Sequence, residues 1–203
     1  MGTIRRFDLQ KFKSNFKIDF FIETGTLYGD GVKYALEQSF NKIVSVEIDK
    51  DLTDQARNLF KSIKEVTIEC GKSSEVLKRI LPPIDQNILF WLDAHFPGAD
   101  SGKSRMDSEK NYDIRLPLEK ELEVISKRSS KYRDVIIADD LWIYEDGNYT
   151  RSFDDHCKIY HPGITRDQIC GRNLDFVHNL FSKTHTLEKY YEHQGYILLT
   201  PQG

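Results

Sequence analysis

Apolar residues fall along this chain in short blocks rich in β-branched side chains, separated by stretches in which they return every three or four positions. The first pattern suits strands buried on both faces and the second suits amphipathic helices, so their alternation predicts a sheet covered by helices on both sides. Strands are expected at 19–23, 42–47, 66–70, 87–93 and 134–139, and helices at 31–40, 51–63, 73–81 and 117–127. Ser73-Ser74-Glu75 reads as a helix N-terminal cap, and Pro117 suits a first helical turn. Beyond residue 140 the order changes. A polar stretch runs to about 169 and a helix to 182, and two strand-like runs at 185–193 and 195–200 lie close enough for an antiparallel hairpin.

At 203 residues the chain is long enough for one substantial core, so 1–203 is read as a single domain with an arm or helix at 1–18. No apolar run approaches the roughly 20 residues of a membrane span. A formal charge of −3 gives no global pull toward nucleic acid. Cys70, Cys157 and Cys170 are too few and too scattered for a disulfide framework or a zinc site, which points to a reducing, cytoplasmic compartment. Residues 1–17 carry five basic side chains against the single acid Asp8, but lack the apolar stretch of a signal peptide.

In an open parallel sheet, ligands bind beyond the carboxyl ends of the strands, near the point where strand order reverses. The residues that close the expected strands are Glu23-Thr24-Gly25, Glu47, Gly71-Lys72, Asp93 and Asp139-Asp140, a carboxylate or a glycine in every case. After the first, Glu23-x-Gly-x-x-x-Gly supplies a turn in which backbone N–H groups can approach a ligand closely. Its spacing differs from the Gly-x-Gly-x-x-Gly of dinucleotide sites. An acid before the turn disfavours a phosphate dianion and favours a ligand carrying an ammonium and a sulfonium. Glu47 stands where an acid accepts hydrogen bonds from two ribose hydroxyls.

At these positions the sequence resembles the class I S-adenosylmethionine-dependent methyltransferases. The resemblance is carried by Phe21-Ile22-Glu23-Thr24-Gly25-Thr26-Leu27-Tyr28-Gly29, Val44-Ser45-Val46-Glu47-Ile48-Asp49, Cys70-Gly71-Lys72-Ser73-Ser74-Glu75, Phe90-Trp91-Leu92-Asp93-Ala94-His95 and Ile136-Ile137-Ala138-Asp139-Asp140. It implies an α/β fold: a Rossmann-like, mostly parallel seven-stranded sheet with helices on both faces and a C-terminal antiparallel hairpin. It also implies that Thr24, Gly25, Tyr28 and Gly29 face the methionine end of the cofactor, Glu47 the ribose and Ser73 the adenine, with Glu23, Thr26, Ile48, Lys72 and Asp93 as further cofactor-binding candidates. Lys72 departs from the acid common at that place.

Asp93, Asp139 and Asp140 present three carboxylates from two strand ends, and a hard divalent cation, Mg or Mn, would relieve their repulsion. The pattern is similar to metal-dependent sugar and small-molecule O-methyltransferases. His95, two residues beyond Asp93, is a candidate general base for an acceptor hydroxyl. Two long stretches, 94–116 and 141–169, are expected as acceptor-side loops, with Phe96, Trp142, Tyr144, Tyr149, Tyr160, His156 and His161 as candidates to face a sugar ring or exclude water, and Arg105, Lys103, Arg151 and Arg166 as candidates for an anionic acceptor. The expectation is an O-methyltransferase acting on a sugar or glycan hydroxyl. An NAD-dependent oxidoreductase and a non-catalytic nucleotide-binding module of the same fold stand as alternatives.

Overall fold

The structure, a computed structural model, describes residues 3–150, 153–169, 171 and 173–203, with backbone alone at 153, 154, 160 and 166. Seven strands form one sheet: β1 (Phe20–Thr24), β2 (Lys42–Glu47), β3 (Val66–Cys70), β4 (Ile88–Leu92), β5 (Val135–Asp139), β6 (His185–Tyr190) and β7 (Tyr196–Pro201). Their order is β3-β2-β1-β4-β5-β7-β6. β1 to β5 are parallel, and β7 runs antiparallel to both neighbours, with Asp139 opposite Tyr196 and Tyr190 opposite Tyr196 on its other side. This is the Rossmann-like, mostly parallel sheet with a reversed hairpin expected from the chain, and observed strand bounds fall within a few residues of the expected ones.

The near-continuous apolar strands follow from having helices on both faces. Alternate residues enter opposite cores: Phe20, Ile22, Phe90 and Leu92 join one, Phe21, Leu89, Trp91 and Ile137 the other. Helices α1 (Leu9–Phe16), α2 (Asp30–Glu37) and α3 (Lys50–Phe60) cover the second face through Leu9, Val32, Ala35, Ala56 and Phe60. Helices α4 (Ser73–Ile80), α6 (Leu118–Ile125) and α9 (Asp175–Phe181) cover the first through Leu77, Leu122, Ile125, Val177 and Phe181. The expected arm before β1 is helix α1, with Asp8 accepting from the Lys11 N–H at its start. At the amino ends of the strands, buried Arg128 pairs with Asp134 at 2.6 Å and donates to the carbonyls of Ile84 and Gln86.

Two local readings differ from the sequence. The residue capping α4 is Lys72, with no side-chain cap, and Ser73 is the first helical residue. The stretch 141–169 is not simply a loop: Leu141–Ile143 form a 3₁₀ turn, and α7 (Phe153–Tyr160) and α8 (Arg166–Ile169) follow, with α5 (Tyr112–Arg115) inside the earlier stretch. Buried Leu141, Trp142, Ile143, Cys157, Ile164 and Ile169 hold this region to the first core. Polar residues between these anchors obscure the helical period. Arg151 and Cys170 lie outside the described residues, as do the side chains of Tyr160 and Arg166.

Candidate active site

The chain leaves β1 for β2 and β3 and returns to β4 on the other side of β1, so the strand order reverses between β1 and β4. There the Asp93 N–H donates to the Thr24 carbonyl at 3.0 Å, and the Gly25 N–H to that of Val46 at 2.9 Å. Gly25 has φ +87°, and a Cβ on it would stand 2.3 Å from the Asp93 carbonyl oxygen. Only glycine lets the two loops approach so closely. Over this point opens a cleft of about 730 Å³ including its mouth, lined by Gly25, Glu47, Gly71, Ser73, Asp93 and His95 among others.

Glu47 is fixed before any ligand arrives. Its Oε2 accepts from the Leu27 N–H and its Oε1 from the Asp49 N–H, both at 2.9 Å. A carboxylate oriented by two backbone donors keeps further lone pairs for hydroxyls. Across the cleft mouth, Lys103 reaches from the 94–116 stretch to Asp49 at 2.8 Å and Asp51 at 3.2 Å. It is thus engaged with the rim of the cleft rather than free for an anionic acceptor, while Arg105 faces Asp107 at 3.7 Å.

Of the residues expected around the cofactor, Gly25, Glu47, Ile48, Lys72, Ser73 and Asp93 do line this cleft. Glu23, Thr24, Thr26, Tyr28 and Gly29 do not. Thr24 and Thr26 are buried, Tyr28 is 53% exposed on the surface, and Gly29 lies against the ring of Phe60. Glu23 is buried beneath α2, where a Cβ on Gly31 would fall 1.7 Å from its Oε1. Its Oε2 accepts from Ser45 Oγ at 2.5 Å, which in turn meets Thr26 Oγ1 at 2.6 Å. Burial raises its pKa to about 8, against the partial relief from Ser45. The charged wall expected of this acid is therefore a neutral brace under the glycine turn.

Beside the cleft, His95 stands between two of the three expected carboxylates. Its Nε2 is 2.6 Å from Asp140 Oδ2 and its Nδ1 is 3.4 Å from Asp93 Oδ1. Asp140 adopts a left-handed backbone, φ 61° and ψ 47°, and its N–H donates to Asp139 Oδ1 at 2.8 Å. A non-glycine residue in that conformation stores strain that the surrounding contacts must hold. Burial disfavours a charged imidazole, but Asp140, Asp93 and Asp139 outweigh it and raise the His95 pKa to about 10. Burial raises Asp93 and Asp139, with His95 opposing the rise at each.

The cation expected at Asp93, Asp139 and Asp140 does not fit this arrangement. Among the described residues no group of three or more His, Cys, Asp or Glu side chains is placed to hold a metal ion. The imidazole occupies the space between Asp93 and Asp140 and relieves their repulsion itself. Nothing in the order of residues could have separated these outcomes, because both need the same acids at the same strand ends.

Leu27, within the expected glycine loop, lines the cleft, whereas the sequence pointed to none of Asp100, Asp113 and Ile114, which also line it, nor to Glu121, which lies behind it. Asp100 sits on an irregular segment, and Asp113 and Ile114 sit in the single turn of α5, too short to show a period. Glu121 had a readable signal, since helical spacing from Leu118 to Leu122 and Ile125 places it on the buried face. The aromatic residues are divided: Phe96, Trp142 and Tyr144 are buried, while Trp142 meets the His156 ring at 5.2 Å between centroids and His156 meets His161 at 5.7 Å.

No protein-family model matches the sequence, and no curated protein matches it. Among solved structures, the chain is similar to the S-adenosylhomocysteine-bound methyltransferase PaMTH1 of Podospora anserina, at 14% identity over 100% of this chain and 80% of that one, with a TM-score of 0.61. It is also similar to an O-methyltransferase of Bacillus cereus in complex with S-adenosylhomocysteine, at 14% identity over 96% and 79% of the two chains, with a TM-score of 0.52. At such identities the likeness establishes the fold, which is the Rossmann-like methyltransferase fold.

Proposed function

We propose that this chain is an S-adenosylmethionine-dependent O-methyltransferase whose acceptor is a hydroxyl of a sugar or glycan. One observation carries the reading: a cleft at the strand-order reversal holds a fixed carboxylate, Glu47, and opens directly beside the Asp93–His95–Asp140 cluster. The glycine floor at Gly25 and the preset lone pairs of Glu47 fit the donor molecule. The sugar acceptor is supported by the resemblance in the Leu92-Asp93-Ala94-His95 segment and the Asp139-Asp140 pair. A reducing, cytoplasmic location belongs to the same reading.

When bound, S-adenosylmethionine supplies an electrophilic methyl on a positively charged sulfur. Glu47 would accept hydrogen bonds from the ribose hydroxyls; Ile48, Lys72 and Ser73 would bound the adenine end; Gly25 leaves room for the backbone to approach. An acceptor alcohol attacks well only as it loses its proton. In this reading His95 serves as the counter-cation, because Asp140 at its Nε2 and Asp93 facing its Nδ1 keep both ring nitrogens protonated near neutral pH. Asp93 takes the acceptor proton. Its side chain is 30% exposed against 4% for Asp140, so it is the member open to the cleft, and its raised pKa brings it toward neutrality where a base works best. His95 fixes the cluster and aligns Asp93. No step passes through a metal.

Thermal unfolding with S-adenosylhomocysteine and NAD in parallel tests the donor. Ligand at about 100 times its Kd should stabilise the fold by about 2.7 kcal/mol, and stabilisation by NAD alone would refute the proposal. Mass-spectrometric gain of one methyl across a panel of mono- and oligosaccharides tests the acceptor, and transfer confined to non-carbohydrate hydroxyls would overturn the sugar.

A further inference from the structure

The segment that leaves β4 does not stay at its own strand end. β4 and β2 lie on either side of β1, so a residue after β4 that meets one after β2 crosses the end of β1 and the mouth of the cleft. Lys103 makes that crossing. Its Nζ donates to Asp49 Oδ1 at 2.8 Å and Oδ2 at 2.9 Å, and to Asp51 Oδ2 at 3.2 Å. The turn that carries it is shaped from within, since the N–H groups of Lys103 and Ser104 both donate to the Gly98 carbonyl, at 3.0 and 3.2 Å. Its base is anchored by buried Phe96, Ala99 and Met106, and by the Phe96 N–H on the Arg115 carbonyl at 2.8 Å. Pro97, Gly98 and Asp100 of this turn line the cleft, as do Glu47, Ile48 and Leu52 of the segment it reaches. The ammonium therefore ties two walls of one cleft together.

Asp49 carries the tie further. Its Oδ1 caps α3 by accepting from the Leu52 N–H at 2.9 Å, and its own N–H donates to Glu47 Oε1 at 2.9 Å. A chain of hydrogen bonds thus runs from Lys103 through Asp49 to the carboxylate that meets the ribose in the donor reading. We infer that Lys103 is a positioning residue of the donor cleft, a clasp that holds the 97–100 turn across its mouth and, through Asp49, keeps Glu47 oriented. It acts through the turn and Asp49 rather than by touching the donor, and a bound donor leaves faster when the clasp is open. Lys103 holds the Asp49 carboxyl below its ordinary range and Asp49 raises the ammonium in return, so both stay charged near neutral pH. Salt, rather than pH, loosens the clasp. The inference rests on the donor reading of that cleft.

Stopped-flow dissociation of S-adenosylhomocysteine from the full chain tests it, using Lys103→Met, Lys103→Arg, Asp49→Asn and the Lys103→Met/Asp49→Asn pair. Methionine keeps the stem, removes the charge and should speed release about fivefold. Arginine keeps the charge, can meet both Asp49 oxygens, and should stay within about twofold of the unmodified protein. Asparagine still caps α3 but loses the charge, so it should speed release on its own and add nothing once Lys103 is methionine. S-adenosylhomocysteine has no net charge near neutral pH. Raising NaCl from about 0.05 to about 0.5 M should therefore speed its release about threefold from the unmodified protein and leave Lys103→Met unchanged. Equal release rates for the unmodified protein and Lys103→Met, failure of arginine to keep the slow rate, or one salt dependence for both would overturn the inference. If Lys103→Met does not fold, Asp51→Asn decides, because it removes one of the two carboxylates at an exposed position. Its release should be about twofold faster and less sensitive to salt, and release identical to that of the unmodified protein would refute the clasp. Failure of the unmodified protein to bind S-adenosylhomocysteine would overturn the donor reading and this inference together, while normal binding with release indifferent to Lys103→Met overturns the inference alone.

Discussion

Replacing Glu23 with Gln should change how stability depends on pH. The Glu23 residue is 2% exposed beneath α2, its Oε2 accepts a hydrogen bond from Ser45, and burial raises its pKa from 4.5 to about 8. Between those two values the folded protein retains a proton that the unfolded chain has released. A raised folded-state pKa means that the stabilisation is fully present below the unfolded value and is lost as pH rises through the folded one. Each pH unit inside the window therefore removes about 1.4 kcal/mol, or about 2.7 kcal/mol between pH 5.5 and 7.5. Gln has nearly the same shape, can still face the Ser45 hydroxyl and does not ionise. Urea unfolding of both proteins at pH 5.5, 6.5 and 7.5 in one buffer system measures the difference directly. The variant's stability relative to the parent should climb by about 1.4 kcal/mol per unit, although His95, Asp93 and Asp139 tilt both curves alike. Parallel curves for the two proteins would refute the reasoning, because they would mean that Glu23 is already ionised in the fold.

Gly25→Ala should weaken S-adenosylhomocysteine binding more than tenfold by calorimetry, since its Cβ would enter the Asp93 carbonyl at 2.3 Å from a backbone with φ +87°. Asp93→Asn, tested with a saccharide that the unmodified protein methylates, should lower kcat by about 10²–10⁴ while leaving circular dichroism unchanged. His95→Ala should depress turnover strongly with donor affinity nearly intact. Activity should persist in excess EDTA, and loss on chelation with recovery on adding Mg or Mn would restore the cation to the mechanism. Arg128→Ala should cost about 3–5 kcal/mol in denaturant titration, because it strands buried Asp134, yet leave donor affinity unchanged at the opposite end of the sheet.

Most of the scaffold was legible from local pattern. The apolar blocks at β1 to β5, the helical spacing between them and the two final runs around Gly195 predict seven strands, because strand and helix periods differ and a parallel sheet needs crossover helices. Glu47, Ser73 and Asp93 could be placed at the cleft for the same reason, since the carboxyl end of each strand is set by where its apolar run stops. What the order of residues leaves open is where a side chain goes once the chain packs. Glu23 and Glu47 both end strands, yet one is sealed under Gly31, where burial raises its pKa, and the other is oriented at the cleft by the N–H groups of Leu27 and Asp49. Asp93, His95 and Asp140 are compatible with a metal site or an ion-pair cluster, and only their distances distinguish the two. Local sequence determined the elements and the ends at which chemistry gathers. Tertiary packing decided desolvation and the neighbours of each charge, and those two quantities set whether a carboxylate is a ligand, a base or a brace.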